Sequence, residues 1–224
     1  MDKYVFVDLE TTSTDPWRGD ILEGCMILTD TEYEEKDRII FKCKPQDDTE
    51  WDEEAFKIHN INFVDAQSYP SRREAALKVL LFLAKHEITQ HNTKMVIQAN
   101  PNKWVDKNGQ WTTPNFDKRF LEEMFKKEQL NYALEKYFPL KVYNHKDTAE
   151  NGTVLNLWYS LNYHGFKKKS LAEACRVAGF ELTDHHNCQH DTLALLHCWR
   201  YFESMGVKFS NKADKQQRDM GSFL

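Results

Sequence analysis

Along the first fifth of the chain, apolar residues gather into three β-rich runs, Tyr4–Asp8, Ile21–Thr29 and Arg38–Cys43, separated by short polar stretches. That spacing predicts an antiparallel meander. Helical patterning follows: Asp52–Ile61 reads as a short helix. Ser71–His86 opens on Ser71 with Glu74 three residues later and carries a strong apolar stripe. Lys94–Asn100 is a buried-strand pattern, and Phe116–Glu128 puts Phe116, Phe120, Leu121 and Met124 on one helical face. One further strand, Leu140–Asn144, precedes helical stretches that begin near Ala149, Ser170 and Asn187. The order predicts an α/β fold with a mixed five-stranded sheet covered by helices.

Two segments stand outside this frame. Between Pro101 and Pro114, Asn108-Gly109 is a hairpin turn signal flanked by Trp104, Val105 and Trp111, which predicts an inserted β-hairpin over about 102–113. After residue 206 the chain turns polar and charged, so 1–206 is read as one domain and 207–224 as a disordered tail. No repeat and no apolar N-terminal segment interrupts the pattern. Five cysteines (Cys25, Cys43, Cys175, Cys188, Cys198) lack CxxC spacing, which suits free thiols in a cytoplasmic protein with no membrane association. A net charge of -5 excludes a broadly basic nucleic-acid binder. Any contact with phosphates must be local and helped by metal ions.

The candidate chemistry begins in "VFVDLETTSTDP", where Asp8 and Glu10 close an apolar run. Residues i and i+2 of a strand share a face about 6.6 Å apart, so two carboxylates can converge on a divalent cation at the strand's end. Mg²⁺ or Mn²⁺ is a hard ion suited to such oxygens. Asp117 starts the helix after the buried strand, and Asp191 follows His186 by five residues. Five residues span about 140° on a helix, so His186 is expected in the loop ahead and Asp191 in the first turns.

These motifs, "VDLETTSTDP", "NFDKRFL" and "HHNCQHDTLALL", resemble those of DnaQ-like 3′–5′ exonucleases of the DEDDh group, in the ribonuclease H-like fold. "EEAFKIHNI", "KDTAENGTVLNLWY" and "KKKSLAEACRVAGFE" add weaker echoes, some of them shared with the proofreading subunits of bacterial replicative polymerases. The chain departs from the pattern at Gln98, Ala99 and Asn100, where the family has His-Asn ahead of its second motif. His185 and His190 also crowd the third motif. The family spacing selects His186.

The resemblance implies two Mg²⁺ or Mn²⁺ ions bridged by Asp8. Glu10 and Asp191 would complete the first ion's ligands, Asp117 would orient the second, and His186 would serve as general base. It implies release of nucleoside 5′-monophosphates from 3′ ends, single-stranded DNA before RNA, with Thr11, Thr12 and Ile61 at the terminal nucleotide. The alternative class is a catalytically idle domain that tethers partners. Asp15 and Asp147 read as turn or cap residues, and His59 and His145 as structural ones. Lys167, Lys168 and Lys169 form either a solvated face or a phosphate contact. Trp104 and Trp111 stack on each other or on bases. Gln217–Leu224 ends in Met220, Phe223 and Leu224 and resembles the peptides that dock onto sliding clamps.

Overall fold

The computed structural model describes residues 3–98, 116–137, 154–163 and 165–205, without the side chains at 159, 160 and 163. Its centre is β1 (Lys3–Thr11), whose β-branched and aromatic residues suit a strand buried on both faces. β1 pairs antiparallel with β2 (Ile21–Thr29), which pairs antiparallel with β3 (Glu35–Lys42). On its other side β1 runs parallel to β4 (Thr93–Ile97), and β4 parallel to β5 (Val154–Asn156). The sheet order is β3-β2-β1-β4-β5.

Eight helices accompany this sheet among the described residues: α1 (Glu53–His59), α2 (Phe63–Ala66), α3 (Arg72–Lys85), α4 (Phe116–Lys127), α5 (Asn131–Tyr137), α6 (Leu157–Tyr163), α7 (Leu171–Ala178) and α8 (Cys188–Ser204). The capping box at α3 forms as expected: Ser71 Oγ accepts from the Glu74 N–H, and the Glu74 carboxylate accepts from the Ser71 N–H at 2.8 Å.

Strand alternation divides the core in two. Val5, Val7 and Leu9 join a cluster with Val79 and Leu83 of α3 and Phe120, Leu121 and Phe125 of α4. Phe6 joins the other cluster, with Ala174 of α7 and Leu195, Cys198 and Trp199 of α8. Asp8 and Glu10 follow Phe6 at steps of two, so they share the face that α8 covers.

Three expectations need correction or limitation. β1 runs on through Leu9, Glu10 and Thr11, because β2 continues to pair with it across a register shift between Glu10 and Thr11, ending with Thr11 opposite Ile21. The stretch expected to be helix from Ala149 supplies instead the strand Val154–Asn156, and its helix starts only at Leu157. Parallel pairing with Met95–Ile97 of β4 overrides the local pattern there. The predicted strand Leu140–Asn144, the hairpin at 102–113, Asp147, His145 and the tail lie outside the described residues.

Gly24 faces Leu9 across the β1–β2 ladder, and a Cβ there would come within 2.6 Å of Leu9 Cδ2 and 2.4 Å of Phe41 Cζ. Because Phe41 is buried, it has little room to yield. Gly24→Ala is expected to cost about 1–3 kcal/mol, read as a lowered urea midpoint with an unchanged slope.

Candidate active site

The site begins where β1 ends. Asp8 stands opposite Cys25 and Glu10 opposite Glu23 in the ladder with β2, and the irregularity after Glu10 bends the strand as it leaves the sheet. α8 supplies the next acid. Its start is fixed by the Asn187 side chain, which accepts from the N–H groups of Gln189 (3.1 Å) and His190 (3.3 Å). Asp191 therefore lies in the first turn, buried, and points to the same face as Asp8 and Glu10. One carboxylate oxygen from each of these three lies within 4.8 Å of the others. A hard divalent cation fits that oxygen-only set.

Asp117 comes from the opposite side, in the first turn of α4, 3% exposed. The backbone of Leu9 in β1 lies close enough to the Asp117 carboxylate to draw its pKa down.

Crowding has an electrostatic consequence. Desolvation, then Glu10, Asp117 and Asp191, raise Asp8 well above the carboxylate range. Glu10 is pushed up to about 8, by burial first and then by Asp191, Asp117 and Glu23. Burial pushes Asp117 up to about 7, against the pull of its backbone N–H donors. Cations would relieve this strain.

Two histidines border the acids. His186 sits in the loop before α8 at φ 70°, a left-handed backbone that few side chains adopt, and its N–H donates to Asp191 Oδ2 at 3.0 Å. Burial and then His185 lower its pKa, with Asp191 opposing, so its imidazole is neutral at pH 7 and able to accept a proton. His185 Nδ1 lies 3.0 Å from Asp191 Oδ2, and its ring stacks on that of His186 at 3.7 Å between centroids. His190 turns away, its ring 5.7 Å from that of Phe180.

The other candidates divide. Thr11 and Thr12 are buried with hydroxyls engaged inside the chain: Thr11 Oγ1 donates to Ser13 O (2.8 Å), and Thr12 Oγ1 accepts from the Asp20 N–H (2.9 Å). Ile61 is half-buried, its N–H donating to His59 Nδ1 at 3.0 Å, and His59 is itself buried. Asp15 accepts from the Trp17 N–H at 3.0 Å, a turn role. Lys167 and Lys168 are exposed, while Lys169 Nζ lies 5.5 Å from the Trp158 ring centroid. The sequence reading passed over Trp17, which is 55% exposed with the Arg119 guanidinium 5.4 Å from its ring centroid. The available signal was an aromatic residue directly after the first acidic motif and a cation two residues after Asp117.

The exonuclease family model of the RNase T type matches residues 5–198. The chain belongs to this exonuclease family. No curated protein matches the chain significantly. Among solved structures, the exonuclease is similar to the zinc-bound form of the E. coli Exonuclease I–single-stranded DNA complex, with 18% identity and a TM-score of 0.66 over 93% of this chain and 42% of that one. It is similar also to E. coli Exonuclease I with a dT13 oligonucleotide (19%, 0.65, 91% and 41%) and to the Exonuclease I/SSB-Ct complex (18%, 0.63, 91% and 41%). The chain thus spans about two fifths of those proteins, and the likeness shows the ribonuclease H-like fold. No helix among the described residues is long and apolar enough to cross a membrane.

The raised carboxylates give the metal-free exonuclease a signed pH dependence. Their folded pKa values exceed the ordinary value near 4, so the stability they contribute is whole below about pH 4 and is lost as pH rises through 7 to 8. The melting temperature in EDTA is expected to fall between pH 5 and pH 9. Added Mg²⁺ should raise it more at pH 8 than at pH 6, and Asp8→Asn should flatten the metal-free profile.

Proposed function

We propose that the chain is a metal-dependent 3′–5′ exonuclease of the DnaQ-like DEDDh group, acting on single-stranded DNA and releasing nucleoside 5′-monophosphates. The observation that carries this reading is the convergence of Asp8, Glu10 and Asp191 oxygens within 4.8 Å, with His186 bonded through its backbone to the same Asp191. Asp8, Glu10 and Asp191 would hold two Mg²⁺ or Mn²⁺ ions, with Asp117 orienting the second. When bound, such ions activate water and stabilise a departing 3′-oxygen. His186 takes the proton of the attacking water, and its lowered pKa keeps it able to do so at pH 7.

Single-stranded DNA is favoured by the exposed Trp17 ring, backed by Arg119, which offers a stacking surface of the kind that holds unpaired bases. The likeness to Exonuclease I bound to oligonucleotides supports the same substrate. RNA trimming is the alternative outcome of the assay. An idle tethering domain has no use for crowded carboxylates with pKa values driven upward. Five buried, unpaired cysteines suit action in the cytoplasm. The clamp contact through Gln217–Leu224 rests on the sequence pattern alone.

The test is digestion of matched 5′-labelled DNA and RNA oligomers, single- and double-stranded, with Mg²⁺, Mn²⁺ or EDTA. Stepwise shortening from the 3′ end with mononucleotide products is expected, fastest on single-stranded DNA and absent in EDTA. No metal-dependent release from any oligomer would turn the reading to the tether. Asp8→Ala should abolish turnover while leaving the fold intact. His186→Ala should lower the rate about 10²- to 10⁴-fold and His190→Ala far less; a larger loss at His190 would show that the base was wrongly assigned.

A further inference from the structure

The third motif carries two histidines, His185 and His190, that the proposed chemistry does not use, and His185 lies beside the acids. His185, His186 and Asp191 each offer a ligand atom, and these atoms lie within 4.8 Å of one another. This set differs in kind from the neighbouring oxygen-only group of Asp8, Glu10 and Asp191, with which it shares the Asp191 carboxylate. Two imidazoles and one carboxylate suit a borderline-soft ion, Zn²⁺ above all, whereas Mg²⁺ prefers oxygen. The parts are already gathered. His185 Nδ1 rests 3.0 Å from Asp191 Oδ2, and the two rings lie 21° from parallel. The His185 side chain is 39% exposed, so it can rotate to the bond length of about 2.0–2.1 Å that zinc asks of a histidine nitrogen. Asp191 is anchored on α8 and His186 by its backbone bond to Asp191, so His185 is the adjustable member.

We infer that His185, His186 and Asp191 form an inhibitory zinc site beside the catalytic acids. Zn²⁺ there occupies the imidazole lone pair of His186 and diverts Asp191 from the oxygen-only group. Its inhibitory effect rests on the exonuclease reading, whereas the binding site itself does not. His185 is the residue that converts a lone histidine and a carboxylate into a three-ligand set.

Two measurements on the full chain decide it. Calorimetric titration with Zn²⁺ in excess Mg²⁺, without nucleic acid, compares wild type, His185→Asn and His190→Ala. His185→Asn keeps a side-chain donor toward Asp191 but offers a poor zinc ligand, and His190 lies outside the set. Zinc affinity is expected to fall about tenfold or more in His185→Asn and to hold in His190→Ala, with circular dichroism confirming folded variants. The Zn²⁺ concentration that halves the Mg²⁺-supported rate should rise by the same factor in His185→Asn only. Equal zinc binding by His185→Asn and wild type overturns the site, and binding that leaves the rate untouched overturns its inhibitory role. If no nuclease activity is found at all, the exonuclease reading falls while calorimetry still decides the zinc site.

Discussion

Four carboxylates that repel one another are held at one end of the central strand, and much of the architecture answers that demand. At an effective permittivity of about 20, two charges about 4 Å apart repel by about 4 kcal/mol, a large part of a domain's net stability. The acids stay together because β1 is laddered on both sides and packed on both faces, by Phe6 against Trp199 at 6.2 Å and by Val5, Val7 and Leu9 against the opposite core. Asp117 and Asp191 each occupy the first turn of a helix, where the positive end of the helix dipole favours a carboxylate. The Leu9 backbone beside Asp117 also favours its charged form. Rigid scaffolding and partial protonation together make the arrangement tolerable until cations arrive.

What was legible in the sequence follows from range. Ile21–Thr29 was read with its observed bounds, and Ser71 and Asn187 marked helix starts, because strand alternation and capping are local. Asp8, Glu10, Asp117, His186 and Asp191 were readable from their motifs, and the structure brings all five to one end of the sheet. Val154–Asn156 was not readable as a strand, since three residues carry no period and only their pairing with β4 makes them one. Nor could the chain's order show that the Thr11 and Thr12 hydroxyls would be engaged within their own loop, which depends on contacts with Ser13 and Asp20 made on folding. The Trp17–Arg119 contact joins residues a hundred positions apart, so no local pattern announces it.

The two adjoining histidines show how environment divides similar side chains. His186 has a left-handed backbone tied by its N–H to Asp191, and burial of its ring, with His185 beside it, keeps the imidazole neutral. His185, one residue earlier and more exposed, is free to turn between Asp191 and solvent. The same tripeptide neighbourhood thus supplies a fixed group and a movable one.

The loop that carries Thr12 to Asp20 is fastened by ionic contacts to α3 and to the end of α4. Asp20, 4% exposed, meets Arg72 at 3.1 Å and Lys127 at 3.2 Å, and Arg72 continues to Glu128 at 2.7 Å. Only Asp20 is fully buried in this set, so losing Arg72 or Lys127 leaves its carboxylate short of a partner in a desolvated place, while the partly exposed cations keep part of their hydration. The loop's path out of the site is therefore set from a distance, by ties to α3 and α4 that are spread over several charges rather than resting on one.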